Sequence, residues 1–549
     1  MKENLIDIIV YKSNEDIFLS LKDSLNNVAV PKGCEVRIVS KNFGSKYETY
    51  NHLMSESEAK FKIYLDENVE IKDRNFLIEL LKIFKSNENI GMIGCSGATV
   101  LSTHGISFQS AKRCGKVFAG SEQNLLEWSK INGKCQEVEA IDGFFLATQY
   151  DISWRSDIFS DNENIFAASA HCVEFKRKGY KTVVANQEKP WIYYKKNNFE
   201  INEQERNQFL NEYSKDLFPL VLVLIPTFNR PKYFQIALES AINQTYRNLE
   251  IVISDNSTND ETKNLIQNYL SRDSRIKYFY EPKFNADGNW NFCRQYQIKD
   301  SKSEYVNWLM DDDIFLPRKI ELMMEVYRNN PDVSIVTSLR YTINDEGKVT
   351  GNYGALANEN SKHSGESVMK LLFHTYHNYV GEPTTVLIKK KFLRDNDLCW
   401  SNDEPGFFSI VDMSTWFQLL TKGNLFWINE PLSAYRLHDN AGDANAGYSI
   451  KTMLDQSIGW AKEITRCWNK KIVLKTEEDI RLTIVVWLRI AAGFMIKTYM
   501  DNYQHERKYL LEKIIANMTQ ALVNGFIIDW PKEEYKKIFV DDVIENLTH

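Results

Sequence analysis

The feature that most constrains this chain is a pattern that runs twice. Short apolar runs of strand length alternate with helix-length segments, first from Leu5 and again from Leu220, and each pass reaches acidic residues after its third run. "LIDIIVY" from Leu5 is matched by "LVLVLIP" from Leu220, "CEVRIVS" from Cys34 by "LEIVISD" from Leu249, and "FKIYLDENVEI" from Phe61 by "YVNWLMDDDIF" from Tyr305. Val, Ile and Leu in unbroken runs belong to strands covered on both faces, and the intervening helices supply the cover. The pattern therefore predicts an α/β chain of two tandem domains with mostly parallel sheets, over residues 1–215 and 216–445. The polar stretch from Asn197 to Lys215 reads as a linker. After Tyr435 the strand signal fades, and residues 446–549 read as a helical C-terminal region.

In open α/β sheets ligands bind outside the carboxyl ends of the strands. Asp311, Asp312 and Asp313 lie at such an end, directly after the apolar "YVNWLM". Three adjacent carboxylates repel one another, so a cation is the expected partner, and hard oxygen ligands favour Mg2+ or Mn2+ over zinc. The competing reading is a solvated acidic turn. Two further strand ends add polar groups. "LIPTFNR" offers Pro226, Thr227, Asn229 and Arg230, a turn with a hydroxyl, an amide and a guanidinium for an anionic ligand. "VISDNS" ends on Asp255, whose carboxylate can accept hydrogen bonds from a base edge or a ribose, although Asp-Asn-Ser is also an ordinary turn.

Composition narrows the class. A length of 549 residues with 43% hydrophobic content suits several packed cores. A formal net charge of −7 with no sustained basic block argues against nucleic acid as a partner. The eight cysteines are scattered, with no C-x-x-C pair and no histidine cluster at zinc spacing, as in a reduced cytoplasmic protein. The start of the chain lacks the basic head and cleavage site of a signal peptide. The longest apolar stretch, Leu482 to Ile496, is too short to span a bilayer and carries Arg489. No transmembrane segment is expected, and the expected location is the cytoplasm, with the inner face of a membrane as the alternative.

With these motifs in this order, Pro219 to Asp439 resembles the family 2 glycosyltransferases. The resemblance rests on the "PTFNR" turn, the "SAINQTY" helix, the "VISDNS" strand end and the acidic "DDD". It implies a GT-A fold, a nucleotide-diphosphate sugar donor, UDP being the expected nucleotide, and inversion at the anomeric carbon. It further implies that Asp255 contacts the base, that Asp311 lies near the ribose, and that Asp312 and Asp313 hold the Mn2+ or Mg2+. The first aspartate of the family's D-x-D pattern falls on Met310 if "DIFLP" is aligned, which leaves the register among the three open. Asp412, before the helix "MSTWFQLL", stands where the family keeps its general base; a carboxylate at a helix start is also a common cap. Asp403 and Glu404 are the next candidates. His438 in "YRLHDN" is a further metal candidate, and "NADGNWNF" offers Asn289 or Asn291 to the donor. The acceptor is expected to be a hydroxyl on a glycan, a lipid-linked glycan or a protein.

The first half resembles a glycosyltransferase branch related to a streptomycin-biosynthesis protein, through "FKIYLDENVEI", "IGMIGCSGA" and "EVEAIDGFFLAT". It departs from that branch at Asn68, Lys41, Ala170 and Ile192, which replace expected working groups. The expectation is a non-catalytic domain; if it is active, Asp66, Glu67 and Asp142 are its candidates. Rival readings of the whole are a bifunctional enzyme, a sugar-nucleotide-binding scaffold, and a nucleotidyltransferase. The last would want a glycine-rich loop after its first strand, and "LIPTFNRPKYF" has none.

Overall fold

The computed structural model describes residues 1–160, 165–196, 200–393, 410–438, 450–484, 486–487 and 490. Asp403 and Glu404, and the C-terminal region past residue 490, lie outside the described residues. The described chain falls into two compact units: Met1–Phe218 with Thr245–Asn248, and the remainder from Pro219 onward.

In the first unit Lys2–Tyr11 is flanked in parallel by Glu35–Lys41 and Ala59–Leu65. The sheet then continues through Phe145–Thr148, which is antiparallel, to Ile90–Gly94, Lys181–Ala185 and the edge strand Cys135–Glu137. Ile6, Ile8, Val10, Ile63 and Leu65 are buried on one face of this sheet and Ile9 and Tyr64 on the other, as expected for strands covered on both faces. A second sheet joins Ala140–Ile141, Ser96–Val100, Lys112–Ala119, Ile192–Tyr194 and Val69–Ile71.

The stretch read as a linker is different in kind. Glu203–Leu217 is a helix, N-capped by the Asn202 side chain, and its Phe209, Leu210, Tyr213 and Leu217 are buried in the first unit. Their i, i+1, i+4, i+8 spacing is a helical face, which the charged residues between them mask in composition.

The second unit repeats the opening. Val221–Thr227 lies between Leu249–Asp255 and Tyr305–Trp308, all parallel, and Ile276–Tyr280 extends the edge. Leu387–Lys389 then pairs antiparallel with both Tyr305–Trp308 and Val333–Ile343. Val333–Ile343 runs parallel to Asn424–Arg436 with three register shifts, and Ile314–Phe315 closes the far edge. Each apolar run read from the sequence forms a strand, and the third run of each unit breaks at its acidic turn into two, Ala59–Leu65 with Val69–Ile71 and Tyr305–Trp308 with Ile314–Phe315, so the aspartates follow Trp308 at the carboxyl edge.

Beneath this sheet Trp308, Trp416 and Trp427 are fully buried. Each ring removes roughly 150–250 Å² from water, about 4–6 kcal/mol at about 25 cal/mol/Å² as an upper bound. The helix Ile450–Asn469 belongs to the same core: Trp460 packs edge-on to Phe417, and Ser414 donates to Glu463 at 2.7 Å. The start of the C-terminal region is therefore part of the second unit's core. No helix among the described residues is long and apolar enough to cross a membrane.

Candidate active site

The carboxyl edge of the second sheet gathers the polar strand ends. Thr227 pairs with Asp255 in the parallel ladder, so the first and second strand ends are level. Beyond Thr227 the chain turns at Asn229, which takes a left-handed conformation (φ 52°), one that Asn tolerates better than most residues. The Asn229 amide N–H donates to Ser257 Oγ (2.9 Å), and its side-chain carbonyl accepts from the Thr258 N–H (2.9 Å). Asn289, on the helix Ala286–Gln295, donates from Nδ2 to Asn256 Oδ1 (2.8 Å) and to the Thr227 carbonyl (3.3 Å). The cap of that helix is Asn285, which accepts from the Gly288 N–H. Asn289 Oδ1 and Asn291 Oδ1 are buried without a partner.

Asp255 is fully buried, with Oδ1 accepting from the Ser257 N–H (2.8 Å) and Oδ2 from the Tyr278 hydroxyl (2.7 Å). Tyr278 ends up beside it because Ile276–Tyr280 is the next parallel strand. Pro226 is the penultimate residue of its strand, and Pro231 begins the helix Pro231–Ile242, where a missing N–H costs nothing.

The three aspartates point three ways. Asp311 Oδ2 accepts from Thr227 Oγ1 (2.9 Å) and the Phe228 N–H (3.3 Å), which pins the turn to the acidic strand end. Asp312 Oδ2 accepts from the Arg230 guanidinium (2.8 Å), which also lies 3.5 Å from Asp311 Oδ1. His438 Nε2 lies 3.0 Å from the same Asp312 oxygen, and its Nδ1 lies 2.6 Å from Asp345 Oδ1. Tyr233 also donates to Asp345. Asp313 turns inward: Oδ1 accepts from the Arg436 N–H (3.0 Å) and Oδ2 from Thr384 Oγ1 (2.5 Å).

Burial, with the Asp312 charge beside it, pushes the Asp311 carboxyl up to about 7 and moves Asp313 upward as well. Arg230 supplies one guanidinium against these carboxylates, and the Arg436 guanidinium is spent on the backbone carbonyls of Asp312, Asn344 and Asp345. Such an under-neutralised set of oxygen donors, with an imidazole alongside, fits a hard divalent cation. Among the described residues no three His, Cys, Asp or Glu side chains already stand in ligating geometry. A cation here has to share Asp312 with Arg230 and His438.

Asp412 sits in the first turn of the helix Val411–Leu420 and is partly exposed. Its Oδ1 accepts from the Met413 N–H (2.7 Å) and its Oδ2 from Asn378 Nδ2 (3.3 Å). Burial, with Glu382 adding like charge, raises its carboxyl to about 7. The segment Asn378–Thr385 connects it to the acidic edge. Asn378 and Gly381 bond each other, the Gly381 carbonyl accepts from Trp416 Nε1, Glu382 pairs with the buried Arg340, and Thr384 reaches Asp313. Gly381 has φ 107°, and a Cβ there would sit 3.0 Å from the Thr385 side chain and 3.2 Å from an Arg340 nitrogen. Only glycine meets both conditions. Sequence reading passed over Asn378, Glu382, Thr384, Arg340, Asp345 and Tyr278. "VGEPTT" carries the one usable signal, a glycine before Glu-Pro.

The first unit occupies the same positions differently. Tyr11 pairs with Lys41, the register position that Asp255 holds in the second unit, and Lys41 reaches Glu56 at 3.0 Å. Glu67 accepts from the Ser13 and Asn14 N–H groups, pinning the turn after the first strand as Asp311 does in the second unit. Asp66 is ion-paired to Lys46 at 2.7 Å, takes the Asn68 amide at 2.8 Å, and is held down at about 2. Asp142 is bonded to Ser96, Ser107 and Arg113. Ala170 lies buried in the helix Ala167–Arg177 and Ile192 in a strand.

Comparison with known proteins agrees with this division. Residues 7–213 match the model of a glycosyltransferase-like family, and residues 222–395 match glycosyl transferase family 2. The second match ends before Asp412 and His438. An uncharacterized glycosyltransferase of Rickettsia typhi is 26% identical over 313 residues, 56% of this chain and 90% of that protein. The GalNAc(5)-diNAcBac-PP-undecaprenol beta-1,3-glucosyltransferase of Campylobacter jejuni is 26% identical over 325 residues, 59% of this chain and 98% of that protein. Residues 1–349 of S. aureus TarS, crystallised with UDP-GlcNAc, align at 16% identity and a TM-score of 0.43, over 55% of this chain and 81% of that one. With a glycosyltransferase-like model on the first unit and a family 2 model on the second, the chain is a glycosyltransferase built of two such domains in tandem, the second of family 2.

Proposed function

We propose that the second unit transfers a sugar, with inversion, from a UDP-sugar to a hydroxyl acceptor, with Asp412 as the general base. The observation that carries this is Asp412 itself: a carboxylate raised to about 7 and tied through Asn378–Thr385 to the Asp311–Asp313 edge. A base of that strength is ionised at mildly alkaline pH and basic enough to take a hydroxyl proton as the bond forms. The acceptor oxygen attacks the sugar C1, its proton passes to Asp412, and the nucleoside diphosphate leaves from the opposite face. Arg230 offsets the charge that grows on the departing diphosphate.

Uracil presents an imide N–H, which suits an acceptor-only carboxylate such as Asp255, and Tyr278 and Ser257 hold that carboxylate in place. Pro226, Thr227 and Asn229 shape the turn beneath the nucleotide, Asn289 lies against it, and Asp311 sits nearest the ribose. Mn2+ or Mg2+ would be held by Asp312 and His438, with Asp313 fixing the strand end behind them, and would neutralise diphosphate charge. The acceptor we assign is a glycan hydroxyl. A lipid-linked glycan, the kind named for the Campylobacter relative, would bring the protein to a membrane face.

The test is release of nucleoside diphosphate from a panel of UDP- and GDP-sugars with Mn2+ or Mg2+. Release from a UDP-sugar that Asp312→Ala abolishes is expected. Release confined to GDP-sugars would overturn the donor, and metal-independent release would overturn the cation.

A further inference from the structure

A cavity walled by aromatic rings lies in the first unit, and none of its lining residues is among those assigned to transfer. It encloses about 490 Å³, within the roughly 300–1,000 Å³ usual for small-molecule sites. Its walls are of two kinds. Trp128, Phe144, Tyr47 and Trp154 present rings, of which Trp128 and Phe144 are partly exposed. Trp128 lies under the Arg113 guanidinium at 4.0 Å, and Phe144 stacks on Tyr194 at 4.9 Å. Between the rings stand two pre-formed ion pairs, Lys46 with Asp66 (2.7 Å) and Arg113 with Asp142 (2.5 Å), and the amide of Asn124. Arg113 is 4% exposed and its Nε has no partner.

These features select a ligand class. The position level with Asp255 is Lys41, Glu67 is spent on the Ser13 turn, and Asp66 is neutralised by Lys46. The edge therefore lacks the uncompensated carboxylates that a cation-bound diphosphate calls for. The remaining chemistry is flat rings rimmed by fixed donors and acceptors. That matches a pyranose, which has an apolar C–H face for an aromatic ring and equatorial hydroxyls that pair with carboxylate, guanidinium and amide groups at once.

We infer that the first unit is a metal-independent saccharide-binding module, with Trp128 as its stacking platform and Arg113, Asp142 and Asn124 as its polar contacts. The chain then holds a glycan in one unit and transfers sugar in the other. The inference stands on the first unit's cavity alone and does not depend on the donor or base assigned above.

The experiment is saturation-transfer NMR and calorimetry on the full chain carrying Asp312→Ala, in EDTA. The probes are the methyl glycosides and short oligosaccharides of glucose, galactose, N-acetylglucosamine and N-acetylgalactosamine, with UDP as the contrasting ligand. At least one saccharide is expected to bind without metal, with affinity falling tenfold or more in Trp128→Ala and largely recovering in Trp128→Phe. Trp128 is partly exposed but packs against the first unit's core, so circular dichroism and unchanged melting must accompany the alanine variant, and Trp128→Phe, which keeps a ring at that place, reads binding on its own. No binding by any saccharide, or binding that Trp128→Ala leaves unaltered, would overturn the inference. So would UDP binding in EDTA that Trp128→Ala abolishes, because the cavity would then be a nucleotide site.

Discussion

Asp412→Asn separates what this carboxylate does for chemistry from what it costs the fold. Its folded pKa of about 7 stands above the 3.8 ordinary for aspartate, so the folded state holds the proton more tightly than the unfolded chain. That contribution to stability is complete below pH 4 and is lost as pH rises through 7. At about 1.36 kcal/mol per pH unit the loss approaches about 4 kcal/mol by pH 8. Asparagine never takes the charge and escapes it. Against this gain stands the 3.3 Å bond from Asn378, which faces a second amide nitrogen in the variant, at about 1 kcal/mol. The helix start also favours a carboxylate by about 0.3–1 kcal/mol. The variant should therefore be more stable than the parent by about 2–3 kcal/mol at pH 8, and no more stable at pH 4. Hydrogen exchange of the peptide spanning Val411–Leu420, read by mass spectrometry at both pH values, localises the effect to this helix. Donor turnover should fall by about 10² to 10⁴ with little change in donor affinity. Equal destabilisation at both pH values would refute the argument from burial, and turnover at the parental rate would place the base elsewhere.

Other perturbations follow from the same geometry. In the parent, kcat should rise with pH through an apparent pKa near 7, since only the ionised Asp412 accepts a proton; a flat profile from pH 5.5 to 8.5 would exclude it as base. UDP with Mn2+ at about 100 times its Kd should stabilise the parent by about 2.7 kcal/mol, and Asp312→Ala should remove that increment in a thermal-shift assay. Gly381→Ala should cost about 1–3 kcal/mol and most of the turnover, because a Cβ at φ 107° strains the backbone and presses on Thr385 and Arg340. Tyr278→Phe should raise the Kd for UDP several-fold by freeing Asp255 while leaving the fold intact, as titration calorimetry would show.

The strands were legible because burial on both faces writes unbroken Val, Ile and Leu runs, and the carboxyl edge was legible because acidic residues end those runs. Glu203–Leu217 was not, since its apolar face is four residues among many charges and only docking on the first unit reveals it. The directions of Asp311, Asp312 and Asp313 were likewise hidden. Sequence places them side by side, whereas their partners Thr227, Arg230, Thr384 and Arg436 come from three distant segments. Asn378–Thr385 escaped notice because its work is to connect Asp412 with Asp313, and connection is a property of the fold. In the first unit the replacements at Asn68, Lys41, Ala170 and Ile192 could be read residue by residue. The use of Glu67 to hold the Ser13 turn could not, because an acidic residue after a strand looks the same whether it is tied to the backbone or open to a ligand.

Transfer, on our assignment, belongs to the second unit. Its most direct test is the mass of an acceptor glycan after incubation with the UDP-sugar that the parent turns over and with Mn2+, comparing the parent with a protein carrying both Asp312→Ala and Asp412→Asn. One added sugar residue is expected with the parent and an unaltered acceptor with the doubly substituted chain. A sugar still added by that chain would contradict the assignment, and would make the first unit a working transferase.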